Sequence, residues 1–148
     1  MLDTNTSGME IDASEFLRFA TAAIQNAARG IYETFELEDE KENPAPPEYF
    51  QLLDRKAKEG VHIIRLAFGD NTSFSEAIDK YPGGMPPYQW ILAETTYCKR
   101  MFLIDREKLF FAEGGVGERK FYYTEDLEQI KEYLYYFEAE LRIVGALQ

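Results

Sequence analysis

With 148 residues, 45% of them hydrophobic and 15% aromatic, the chain is long and apolar enough for one folded domain and too apolar to stay disordered. Its 27 acidic and 16 basic residues give a net charge of −11, a field that repels polyanions, so direct binding to nucleic acid or to an anionic membrane is not expected. One cysteine and one histidine exclude an internal disulfide, a Cys-rich metal cage and any mechanism that takes two histidines from one chain.

Residues 1–8 show no basic stretch leading into an apolar run, so no secretory signal is expected. Unbroken apolar stretches, such as 90–93 and 101–104, are far short of the roughly 20 residues of a membrane-spanning helix. A free cysteine without an export signal points to the cytoplasm.

Residues 1–11 read as a polar tail ahead of a single domain, 12–148. Asp12, with Glu15 three residues on, predicts a helix start. Phe16, Ala20, Ala23, Ile24 and Ala27 share one helical stripe, and Gly30 supplies the stop. Residues 31–37 alternate apolar and polar, the pattern of a strand with one buried face. The acidic run 38–43, followed by Pro44, Pro46 and Pro47, reads as a loop, because proline removes a ladder donor and like charges repel. A second helix is predicted over 48–58, with Tyr49, Phe50, Leu52, Leu53 and Ala57 on its apolar side. Residues 61–68 form a nearly continuous apolar, β-branched run, which predicts a strand covered on both faces. Strand, helix and strand make a right-handed βαβ unit.

A short helix is predicted over 73–80, then a loop over 81–87. Strands follow over 88–94, 99–104 and 108–111, the last two joined by a turn at Asp105, Arg106 and Glu107. Residues 113–118 read as a flexible hairpin loop; their glycines lack the following helix that a phosphate cradle needs. A short strand over 120–123 precedes a final helix capped by Thr124. Its seam, Leu127, Ile130, Leu134, Phe137, Leu141 and Val144, is the strongest periodic signal in the chain. The expected architecture is α/β, a single mixed sheet flanked by helices.

Chemistry-bearing residues are sparse. His62 sits in the most apolar strand with no nucleophilic serine or cysteine motif beside it. The acids Glu36, Glu38, Asp39, Glu40 and Glu42 lack the loop spacing of a calcium site, though they leave the carboxyl end of a strand, where open α/β sheets place ligands. Neither a metal nor a cofactor is expected. Tyrosines near the end of the chain offer stacking faces, and the final helix, 125–144, suggests core packing plus a subunit contact.

The order of elements resembles one half of a phospholipase D-like domain, helped by Leu52, Leu53, Ala57, Gly60 and Val61 in the second helix and the strand after it. The catalytic pattern of that family is His-x-Lys-x4-Asp. In this chain Cys98, Arg100 and Asp105 take those places, and residues 112–115 stand where Gly-Ser-x-Asn is expected. The resemblance therefore implies a dismantled catalytic site with no catalytic residues, as in degenerate members that serve regulators as sensor domains. Its expected ligand-binding residues are Arg100, Asp105, Cys98, Tyr32 and Glu33, and its expected partners are a small anionic or sugar-like ligand and a second copy of the chain. The alternative is an unrecognised hydrolase or phosphodiesterase-like enzyme using Cys98, its pKa lowered by Lys99 and Arg100, or the carboxylate pair Glu94 and Asp105. Charge is uneven: residues 1–43 carry net −7 and residues 44–115 only −1. A small anion is therefore expected to be tolerated near Arg100.

Overall fold

Valine, isoleucine and leucine on both faces of residues 61–68 require cover above and below, and the fold supplies it. A computed structural model describes residues 8–81, 86–115 and 118–146. In chain order its strands are β1 (Met9–Ile11), β2 (Gly30–Glu36), β3 (His62–Phe68), β4 (Gln89–Leu92), β5 (Met101–Ile104), β6 (Lys108–Glu113) and β7 (Lys120–Thr124). The helices are α1 (Phe16–Gln25), α2 (Leu37–Glu42), α3 (Pro47–Lys58), α4 (Asn71–Asp79) and α5 (Leu127–Ile143). All seven strands join one mixed sheet in the order β1-β7-β6-β5-β2-β3-β4. β2, β3 and β4 run parallel, and the remaining pairs are antiparallel.

Alternation along the central strands divides the core between the two faces. On one, Phe16, Ala20 and Ile24 of α1 and Phe50 and Leu53 of α3 pack with Ile31, Ile63, Phe102, Ile104 and Phe110. On the other, Ile130, Tyr133, Phe137 and Leu141 of α5 pack with Ile64, Leu66, Met101, Leu103, Leu109 and Phe111. A smaller cluster at the β4 edge joins Phe35, Leu37 and Ala67 to Phe74 and Ala77 of α4 and to Trp90.

Several expectations need correction. Residues 9–11, read as the end of a polar tail, pair with β7 as an edge strand. Asp12 does start a helical segment, accepting from the Ser14 amide, but Gly30 opens β2 and α1 stops earlier, at Gln25. The acidic run read as a loop forms α2, because Leu37 turns into the core and draws the chain back over the sheet. Asp126, which accepts from the Gln129 amide, caps α5. Thr124, expected in that role, ends β7 and accepts from the Asp126 amide. Leu127, the first seam residue, is 66% exposed, since the helix meets the sheet only one turn later. Part of the 81–87 loop (82–85) and part of the 113–118 loop (116–117) lie outside the described residues.

The β5–β6 hairpin turns through Asp105 and Arg106 at φ 54° and 58°. Two non-glycine residues in the left-handed region cost roughly 1–2 kcal/mol each. The compensation is visible: the Asp105 carboxylate accepts from the amides of Ala28, Arg29 and Gly30 at 2.9, 2.7 and 2.9 Å. The same side chain thus caps the end of the α1–β2 connection and closes the hairpin. Partial burial pushes its carboxyl up, but the three amides outweigh burial and hold it below the ordinary aspartate range. A depressed folded-state pKa contributes stability above the unfolded value of about 4 and loses it as pH falls further. Asp105→Ala is expected to lower stability by about 2–3 kcal/mol in urea titrations at neutral pH. It should also flatten the loss of stability between about pH 5 and pH 3 relative to the parent chain.

Candidate functional site

Glu33 in β2 and Arg65 in β3 are direct register partners, on the face covered by α3. A charged residue on each of two strands otherwise built from apolar side chains has to find a counter-charge or lose too much hydration. Here each is the other's partner. Arg65 Nε donates to Glu33 Oε1 at 2.8 Å, and Arg65 Nη2 lies 3.4 Å from Oε2. The Tyr49 hydroxyl of α3 donates to Oε1 at 2.6 Å. Arg100 brings Nη1 to 3.5 Å from Oε2 and donates to the Thr34 carbonyl.

The Arg65 guanidinium is enclosed by rings: Phe35, Trp90, Phe50 and Tyr49 have centroids 4.0, 4.8, 5.2 and 6.0 Å from its central carbon. Glu40 of α2 approaches Nη2 at 3.6 Å. Burial pushes the Glu33 carboxyl up, but the charges of Arg65 and Arg100 with the Arg65 and Tyr49 hydrogen bonds hold it down, so it stays ionised. Burial and the neighbouring carboxylate raise Tyr49 well above its ordinary value, fixing it as a donor. Glu40 has only the longer Arg65 contact, and burial leaves its carboxyl raised.

The five expected ligand-binding residues do not converge. Arg100 and Glu33 are in contact, near the carboxyl end of β2. Asp105 is at the amino end, bonded to Gly30. Tyr32 faces the other way, stacked on Phe137 of α5 at 5.1 Å between centroids; it shares only a recess with Asp105. Cys98 packs into the α5-side cluster, apart from Arg100. The strand expected from residue 99 begins in regular form only at Met101.

The alternative enzyme arrangements fare no better. Burial pushes the Cys98 thiol up to about 12, overcoming the pull of Arg100, the reverse of an activated nucleophile. Glu94 follows β4 at the carboxyl end of the parallel strands and Asp105 sits at their amino end, so a strand length separates the proposed carboxylate pair. His62 is exposed at the start of β3, edge-on to Tyr32. Among the described residues no group of three or more His, Cys, Asp or Glu side chains could hold a metal ion, and no helix is long and apolar enough to cross a membrane.

Two features went unread in the sequence. A signal existed for the first, since an arginine in a strand predicted to be covered on both faces needs a buried acid, and Glu33 is the inward acid of β2. The second is the pair of recesses beside the carboxyl ends of the parallel strands. One is acidic, lined by Glu36, Glu38, Asp70 and Glu94 with Thr95 and Thr96. The other is aromatic, walled by Phe50, Tyr81 and Trp90.

Alkylation tests the state of the thiol. Cys98 should react with iodoacetamide at pH 8 at least about tenfold more slowly in the folded protein than in the urea-unfolded chain, because thiolate carries the reaction. Equal rates would contradict a raised pKa.

No protein-family model matches the chain, and no curated protein does. Solved structures do. The chain is similar to NucT from Helicobacter pylori, with a TM-score of 0.62 and 15% identity over 92% of this chain and 94% of that one. It is also similar to TrmBL2, described as an archaeal chromatin protein with a novel mode of DNA binding, with a TM-score of 0.63 and 11% identity over 93% of this chain and 53% of that one. The chain thus matches about half the length of TrmBL2. This likeness overturns the exclusion of direct nucleic-acid contact: the fold is shared with a protein described as binding DNA, and net charge averages over a surface whose local patches differ in sign. The α/β architecture expected from the sequence is the one present, one mixed sheet flanked by helices with a C-terminal helix, and the fold is similar to that of NucT.

Proposed function

We propose that this chain is a non-catalytic phospholipase D-like module that binds a ligand or partner in a regulatory role and works as a homodimer. One observation carries the reading: each side chain in the His-x-Lys-x4-Asp spacing is committed elsewhere. Phosphodiester transfer through a covalent intermediate needs a nucleophile with an available electron pair and a group that protonates the leaving oxygen. Cys98 stands in the nucleophile's place with its thiol pushed up by burial to about 12, so it stays protonated at pH 7. Arg100 is bound to Glu33 and the Thr34 carbonyl, and a guanidinium does not release its proton. Asp105 is occupied by three backbone amides at the far end of β2.

Self-association is supported by α5. Its inner face is used by the sheet, while Tyr135 and Ile143 remain exposed along with Leu127. Sedimentation equilibrium should give twice the chain mass of 17.2 kDa; a single-chain mass across a wide concentration range contradicts the dimer.

Turnover is the direct test of the non-catalytic reading. The protein is incubated with bis(p-nitrophenyl) phosphate and, separately, with a fluorescent single-stranded oligodeoxynucleotide, followed by product release and by anisotropy. The expected result is no hydrolysis above buffer, with no change in Cys98→Ala. Hydrolysis by the parent chain that disappears in Cys98→Ala contradicts the reading. A rise in anisotropy without cleavage supports it and identifies nucleic acid as a bound partner.

A further inference from the structure

A cavity of about 260 Å³ opens between α2, α3 and α4 beside the β4 edge of the sheet. It contains none of the positions in the catalytic spacing. Phe50, Tyr81 and Trp90 supply ring surfaces, Leu37 and Ala77 aliphatic ones, and Glu40 a carboxylate. The rings are held by one another and by hydrogen bonds. Trp90 meets Tyr81 edge-on at 5.4 Å and Phe35 at 5.5 Å between centroids. The Tyr81 hydroxyl donates to Asp54 at 2.5 Å and is 2.6 Å from the Tyr88 hydroxyl. A mostly apolar hollow with fixed walls and few polar groups is the usual form of a small-molecule site.

The polar groups select the ligand. Lys41, Glu76 and Lys80 are exposed at the mouth and sum to +1, so the four charged lining residues, Glu40 included, balance to zero. Glu40 alone among the charged lining residues is partly buried, with 19% of its side chain accessible. Its cation is Arg65 Nη2 at 3.6 Å, longer than a charge-assisted hydrogen bond, and Arg65 is already engaged by Glu33 at 2.8 Å. The carboxylate therefore has capacity for a second donor. The ring surfaces beside it favour both a flat apolar body and a positive charge.

We propose that this cavity binds a small amine: a planar apolar group lying against Phe50, Tyr81 and Trp90, with a protonated nitrogen donating to Glu40. The proposal names the ligand site of the binding module and rests on that reading. An anion is disfavoured by Glu40, and an uncharged analogue of the same shape forfeits the charge-assisted bond.

Trp90 is the only tryptophan in the chain, so its emission, excited at 295 nm, reports on the cavity alone. The probes are phenethylamine, phenethyl alcohol and hydrocinnamate, with maltose as a sugar. Phenethylamine should change the emission saturably and bind at least about tenfold more tightly than the alcohol. Glu40→Gln should bring the amine to the affinity of the alcohol. Because that substitution also touches Arg65, Ala77→Phe serves as the second variant: it fills the cavity, leaves Glu40 in place and should abolish saturation by the amine. Equal affinity for amine and alcohol, preference for hydrocinnamate or maltose, or no saturation at all overturns the proposal. Failure of the amine titration in a chain that also hydrolyses no diester removes only this ligand class. Diester hydrolysis lost in Cys98→Ala removes the underlying reading, whatever the amine does.

Discussion

The buried ion pair between Glu33 and Arg65 sets the terms for the rest of the structure. Two charges in register on adjacent parallel strands could not lie under α3 unless each cancelled the other. Once paired, they recruit further groups. Tyr49 donates from the covering helix, Arg100 reaches in from the segment before β5, Glu40 approaches from α2, and four aromatic rings close over the guanidinium. Four stretches of chain outside β2 and β3 thus converge on one pair. A pair this deep gives up most of its hydration, and its value lies in fixing the arrangement of its neighbours more than in net stability.

The same network bears on the proposed reading of Cys98, Arg100 and Asp105. Arg100 engages Glu33, and Cys98 packs against the cluster under α5. Asp105 holds a hairpin whose backbone would otherwise be strained. The fold is similar to those of NucT and TrmBL2, while in this chain Arg100 contacts the buried pair, Cys98 packs under α5 and Asp105 holds a turn. Fold alone assigns no chemistry.

Much of the architecture was legible because its signals were strong and local. The run from Val61 to Phe68 read as a doubly covered strand, and the seam of α5 from Ile130 to Leu141 as a face to be covered. Helix ends were less legible, since Gly30 and Thr124 satisfied cap rules at positions where tertiary pairing claimed them for strands. α2 was hidden by its acidic composition; a single inward residue, Leu37, outweighed it. The site was least legible. Residues 99–100 read as the start of a strand, yet they are irregular; Arg100 contacts Glu33 while Cys98 packs against the α5-side cluster. Charge misled in another way, because a sum over the whole chain says little about any one face.

The measurement that bears most directly on this account is a double-mutant cycle on Glu33→Gln and Arg65→Met, read as unfolding free energy in urea. If the pair organises the interior, each single substitution strands a buried group and costs about 3–5 kcal/mol, and the double variant recovers a large part of that loss. The predicted coupling is about 2 kcal/mol or more. Additive losses, with coupling near zero, would mean that the two charges are held independently and that the network does not govern the fold around it.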